Sequence, residues 1–369
     1  MKFYFTNNVN AKGVFQKYSH KTFFNLVKLR NNKYVKIRKH NFIKLFSLLI
    51  VLVLFSGITN RVNGQDALFS QFYANPLYLN PALTGAERCT RLVMNYRNQP
   101  YPTFGSFSTY SFSVDTYTDR LNGGVGLHIL HDSQGGLLDY TQAGILYAYH
   151  GRLSREWFVN FGMQATYINH RLNWSNLVFP DQFNPATGNI VNSTAETAPS
   201  GLSSHNIDFA SGIVFYNDDF YGGFSVHHLT QPGIEFFEGE KLPMRYTLHL
   251  GYEFFPGGRS RRTQSGQVSF SPNLIVQSQG DFHRINYGLY ANLQPITAGA
   301  WLRQSLSYPN SLIFVLGLKQ VNYAIAYSYD YSLSGFSGFG GGAHELSVLL
   351  NFNCGAQITK YRIINCPTF

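Results

Sequence analysis

Beyond its first 64 residues this chain has almost no lysine, little charge of either sign and no long hydrophobic run. Lys241, Lys319 and Lys360 are the only lysines past that point, and charged residues make up 13% of the chain. A soluble surface usually carries roughly a quarter or more charged residues, so this composition does not suit one. The lack of any apolar stretch of about 20 residues after position 64 excludes helical membrane spans there. Acidic residues are missing from residues 1–64, where twelve Lys and Arg lie, and without that leader the +10 formal charge becomes 17 basic against 19 acidic residues. The apparent pI of 9.4 is thus a property of the leader, and no nucleic-acid partner follows from net charge.

The sequence also lacks the spacings that carry chemistry. His128, His131, His150, His170, His227, His228 and His344 are scattered, and no His-x-x-x-His or Cys-x-x-Cys pattern would place metal ligands on one face. His227 and His228 would point to opposite faces within a strand, as polar residues of a rim or lumen. No Gly-x-Ser-x-Gly elbow joins a strand to a helix. The glycines between Gly335 and Gly342 precede a strand, so the helix N-terminus of a phosphate cradle is missing, and Asp218-Asp219 falls in a turn where Asp bonds its own backbone. The expectation is no catalytic residue, no cofactor and no metal.

What is present begins with the leader. Lys33, Lys36, Arg38, Lys39 and Lys44 precede the apolar stretch Leu45 to Ile58, and Val62 and Gly64 supply modest side chains before a cut between Gly64 and Gln65. Residues 1–64 read as a signal peptide with a long basic n-region, its apolar stretch shorter than the ~20 residues of a spanning helix.

After the leader, apolar and polar residues alternate. Trp157, Val159, Phe161, Met163, Ala165 and Tyr167 share one parity while Asn160, Gly162, Gln164 and Thr166 take the other. Tyr323, Ile325, Tyr327 and Tyr329 stand against Ala324, Ala326, Ser328 and Asp330 in the same way, as do Leu346, Val348, Leu350 and Phe352 against Glu345, Ser347 and Asn351. A period of two with aromatic ends is a strand with one lipid face and one lumen face. The pattern predicts strands at 91–98, 105–116, 123–132, 139–150, 156–170, 206–216, 219–228, 244–254, 266–277, 282–293, 296–305, 310–320, 322–330 and 343–353. The fold class that follows is all-β, a transmembrane antiparallel barrel of about 14 strands after a cleaved signal peptide, with aromatics at 16% to supply its girdles. The expected organisation is signal peptide 1–64, periplasmic N-terminal segment 65–90, barrel 91–353 and periplasmic tail 354–369.

Connections alternate in length. Asn217-Asp218 and Gln320-Val321 are tight, whereas Leu172 to His205 is long and carries Trp174, Phe179 and Phe183, candidates for partner contact or plugging. Asn75-Pro76 and Asn80-Pro81 exclude a regular strand in the N-terminal segment, because proline lacks the ladder donor and holds its predecessor extended. That leaves three placements open: along the periplasmic rim, inside the lumen as a plug, or as an ordinary tail. Closure would put the first strand beside the last, so Cys89 could pair with Cys354 or, through the tail, with Cys366; three reduced thiols are the alternative. By parity Asp330 and Glu345 face the lumen, where Arg97, Arg284 or Arg303 are candidate partners, since a charge facing lipid at mid-depth costs about 2–4 kcal/mol for Arg or Lys.

The mature opening Gln65-Asp66-Ala67-Leu68-Phe69-Ser70-Gln71-Phe72-Tyr73-Ala74-Asn75, then Leu79-Asn80-Pro81-Ala82-Leu83-Thr84-Gly85, resembles the start of the PorP/SprF family of Bacteroidetes outer-membrane proteins. Asn95-Tyr96-Arg97-Asn98-Gln99, Asp132 to Gly136, Tyr147 to His150, Ala326 to Tyr331 ahead of Ala343 to Leu346, and the Cys366-Pro367-Thr368-Phe369 ending extend the resemblance in order along the mature chain. The resemblance implies a fourteen-stranded outer-membrane barrel of type IX secretion, tied in gliding relatives to secretion or surface attachment of large adhesins. It further implies, as partners, outer-membrane lipid, the C-terminal sorting domain of a secreted adhesin, and periplasmic type IX components including a peptidoglycan-linked protein. A dedicated adhesin helper and a core machine component both fit. Outside the family reading, a solute channel would need an open lumen, and an enzyme would need convergent Ser, His and acidic groups near one rim.

Overall fold

The computed structural model describes residues 66–101, 105–183, 189–190, 194–234, 236, 240–256, 268–305, 309–333 and 342–352. Fourteen strands account for most of them: β1 Thr90–Tyr101, β2 Gly105–Thr118, β3 Gly123–Gln134, β4 Leu138–Arg152, β5 Phe158–Leu172, β6 Ser203–Tyr216, β7 Phe220–His227, β8 Arg245–Tyr252, β9 Val268–Gln279, β10 Phe282–Leu293, β11 Ile296–Ser305, β12 Pro309–Lys319, β13 Tyr323–Ser332 and β14 Ala343–Phe352. Each pairs with its neighbours in sequence, and β1 also pairs antiparallel with β14 from Thr90↔Phe352 to Asn98↔His344, closing the barrel. Closure leaves no strand edge, which is what lipid demands of a sheet. All fourteen expected strands are present, with ends displaced by three residues at most.

The alternation is realised as expected. Ile145, Met163, Ile207 and Leu316 are among the most exposed large apolar residues, while Asn160, His128, Ser328 and Ser347 on the other parity are fully buried. Outward aromatics cluster towards both ends of the wall, with Tyr149, Trp157 and Phe215 near one rim and Tyr110, Tyr167 and Tyr246 near the other. Among the described residues no helix is long and apolar enough to cross a membrane; the strands form the crossing elements.

The two rims differ. At the rim where β1 begins and β14 ends, the turns after β2, β4, β6, β10 and β12 are short and 15 residues separate β8 from β9, whereas at the opposite rim 30 residues separate β5 from β6 and 17 separate β7 from β8. Gly335 to Gly341, the leader with its Gly64–Gln65 junction, and Cys354 and Cys366 lie outside the described residues.

Candidate functional site in the barrel lumen

Residues 66–89 lie inside the barrel. Single helical turns at Phe72–Ala74, Pro76–Leu79 and Pro81–Leu83 fold the segment, two of them opened by a proline whose missing N–H is no loss at a helix start. Asn80 is extended before Pro81, its side-chain carbonyl accepts the Ala82 N–H at 2.9 Å, and its amide donates to the wall at Ile213 O (3.2 Å), Phe224 O (3.3 Å) and His249 Nε2 (3.1 Å). One side chain thus caps the turn and fastens it. The wall has room because Gly162 and Gly212 face it: a methyl group on Gly162 would overlap the backbone of Pro81 and Ala82, and one on Gly212 would overlap the Asn80 side chain. Asn75 donates to Ser111 Oγ at 2.8 Å, and Asn95, Asn160 and Ser225 donate to carbonyls of Ala74, Ala82 and Leu79. Phe72, Tyr73, Leu79 and Leu83 pack with Trp301, Tyr221 and Tyr290 in one buried cluster, so apolar burial joins the hydrogen bonds in holding the segment.

Three charged groups fix the segment along its length. Glu345, the third residue of β14, accepts the backbone N–H groups of Ser70 (2.6 Å) and Gln71 (3.1 Å) and lies 3.5 Å from Arg97, directly across the β1–β14 ladder. Asp330 pairs with Arg303 at 2.5 Å and Arg97 at 3.3 Å and accepts the Ser70 hydroxyl, while Arg303 also donates to Phe69 O and Arg97 to Ser70 Oγ. Two guanidinium groups and two carboxylates therefore meet in balance, which a buried charge requires. Arg284, half-buried, lines a cavity of about 30 Å³ beside Asp66 and Arg245, room for about one water.

At the long-loop end, Asp66 meets Arg245 at 2.9 Å and His228 at 2.8 Å, and the other ring nitrogen of His228 lies 2.8 Å from Asp208. Both imidazole nitrogens face carboxylates, so both donate and the ring is charged. Burial alone would lower the His228 pKa, but the Asp66 charge and the bonds to Asp208 and Asp66 outweigh it and raise it to about 9. Burial alone would raise that of the Asp66 carboxyl; His228 and Arg245 hold it well below the usual carboxylate range. At the chain-end rim, Asp115 accepts from Arg91 at 2.9 Å and from the Gly85 N–H at 2.7 Å. The segment thus crosses the lumen from the long-loop rim to the rim where β1 starts.

Asn75, Pro76, Asn80 and Pro81 all sit in the lumen, as do Asp330, Glu345 and Arg303. Trp174, Phe179 and Phe183 are elsewhere, in the loop after β5, where the Trp174 and Phe179 rings lie 4.9 Å apart and Phe183 is exposed. His227 and His228 are both buried on the inside instead of facing opposite ways, because β7 ends at His227 and a φ of +60° turns His228 inward. The group around Asp66 gave no sequence signal: Asp66 stands in a segment without periodicity, 162 positions from His228. Cys89, at the foot of β1, is disulfide-bonded.

Among solved structures the chain resembles the toluene transporter TbuX of Ralstonia pickettii (11% identity, TM-score 0.44, 74% of this chain and 92% of that one). It also resembles the CymD monoaromatic hydrocarbon channel (11%, 0.45, 78% and 95%) and the outer membrane protein Omp33 of Acinetobacter baumannii (6%, 0.40, 72% and 100%). No curated protein matches. The family model for the type IX secretion system membrane protein PorP/SprF matches residues 61–350, nearly all of the barrel and its lumenal segment. This outer-membrane barrel therefore belongs to the PorP/SprF family of type IX secretion system membrane proteins.

Proposed function

We propose that this protein is a non-catalytic outer-membrane barrel that acts in secretion or surface anchoring of a cognate large adhesin-like protein, engaging that protein's C-terminal sorting domain and periplasmic type IX components. The observation that carries this reading is the occupied lumen. A solute channel needs a hydrated path, and here the inward groups of β1, β2, β5, β7, β8, β11, β13 and β14 bond the chain's own N-terminal segment. With the interior so engaged, the rims are the surfaces left for partners, and at one of them the loop after β5 offers an exposed Phe183 beside half-buried Trp174 and Phe179. Affinity purification from outer membranes tests the reading. The expected result is co-purification of a long secreted protein, lost when its C-terminal domain is deleted and weakened by W174A/F179A/F183A. Recovery of a peptidoglycan-bound periplasmic protein without an adhesin would assign the core-component role instead, and recovery of the barrel alone with robust solute flux would assign a channel.

A further inference from the structure

The outward-facing histidines of the described strands, His131, His205, His283 and His344, all lie within three residues of the long-loop end of their strands. The other strand histidines, His128, His150, His170, His227 and His249, are buried inside. Three of the outward four sit against tyrosine rings, at 6.5 Å (Tyr110–His131), 6.0 Å (Tyr167–His205) and 6.1 Å (Tyr327–His344). That level of the wall is where a membrane's apolar interior gives way to headgroups.

At His205 the bonding goes further. The Asn169 amide nitrogen reaches His205 Nδ1 at 2.9 Å and the Tyr167 hydroxyl reaches the same atom at 2.6 Å. An amide nitrogen only donates, so Nδ1 is an acceptor and the ring proton of the neutral imidazole sits on Nε2, free to donate. These residues line a groove of about 840 Å³ on the outer wall, together with Arg171 and Trp174. The groove therefore presents a guanidinium and an imidazole N–H. Asp139, opposite Arg171 across the β4–β5 ladder, accepts from Ser133 at 2.8 Å and from Asn173 at 2.9 Å. Towards mid-barrel the same strands present Ile145, Met163 and Ile207, all about two-thirds exposed, as a continuous apolar lane.

We propose that this groove seats the phosphate of a membrane lipid in the leaflet at the long-loop rim, its acyl chains lying along Ile145, Met163 and Ile207. A guanidinium beside an imidazole N–H selects an anion, and the apolar lane running from it selects an anion attached to hydrocarbon. Arg171 forms the charged contact, His205 adds a directional one, and Asn169 and Tyr167 hold His205 in the donating tautomer.

The test uses the mature protein reconstituted in vesicles, with Trp157→Phe to leave Trp174, which lines the groove, as the reporter; Trp301 is buried in the lumen and out of lipid reach. Brominated phosphatidylglycerol, diluted into the phosphate-free lipid digalactosyldiacylglycerol, should quench Trp174 about tenfold more effectively than brominated digalactosyldiacylglycerol at equal mole fraction, the selectivity of one charge-assisted hydrogen bond. The R171Q/H205L variant should bring that ratio to about one while keeping the unheated gel mobility of a folded barrel. Equal quenching by the two lipids in the parent, or an unchanged preference in the double variant, would overturn the proposal. Loss of the preference on adding millimolar inorganic phosphate would also overturn it, by showing a free-anion site.

Discussion

Glu345→Ala removes the carboxylate that receives the Ser70 and Gln71 N–H groups and balances Arg97. Two buried donors lose their acceptor, at about 1–3 kcal/mol each, and a buried pair is broken, which typically costs about 3–5 kcal/mol in all. The barrel itself stays paired through the β1–β14 and β13–β14 ladders, whose hydrogen bonds are made by backbone. The cost therefore falls on the docked state of the N-terminal segment and is relieved if that segment withdraws and water enters. A bias of about 3–5 kcal/mol raises the withdrawn population by a factor of about 10² to 10³ or more. Planar-bilayer recording reads this directly. The parent should be silent, Glu345→Ala should show intermittent openings, and a chain lacking residues 66–83 should conduct steadily. A Glu345→Ala channel as silent as the parent, beside a conducting deletion, would refute the reasoning, as would a parent that conducts like the deletion.

Gly162→Ala should loosen the segment by a different route, since its methyl meets the backbone of Pro81 and Ala82; overpacking of about 1–3 kcal/mol should appear as faster proteolysis of residues 66–83. The contribution of His228, whose pKa is raised to about 9, is complete below its ordinary value of 6.5 and is lost as pH rises towards 9; hydrogen exchange at residues 66–70 should accelerate over that window, and His228→Gln should flatten the response. Met163→Arg places a charge on the lipid face at mid-strand and should destabilise the barrel by about 2–4 kcal/mol in urea unfolding from vesicles. Non-reducing peptide mapping should join Cys89 to Cys354 or Cys366, and Cys89→Ser should lower stability by about 2–4 kcal/mol.

The barrel was legible because its cause is local. In β5, Phe161, Met163 and Tyr167 face lipid while Asn160, Gln164 and Thr166 face the lumen, and that period of two is written in the residues themselves. The lumen charges were legible for the same reason: parity assigns Asp330 and Glu345 to the inside wherever the strand sits. Their partners were not. Arg97 and Arg303 were two of several candidates, and only the closed register sets Arg97 opposite Glu345 and brings Arg303 to Asp330.

The N-terminal segment shows the boundary most sharply. Its prolines excluded a regular strand, because proline constrains φ and donates nothing, wherever it is placed. Its location could not be read, since a segment without periodicity carries no record of the surface it meets. The amino-acid order by itself determined the alternation, the strand number and the lipid-facing wall, all consequences of neighbours one and two residues apart. Tertiary closure alone decided that Asp66 reaches His228, that Asn80 meets β6, β7 and β8, and that the lumen is filled, because those contacts join residues 100 or more positions apart.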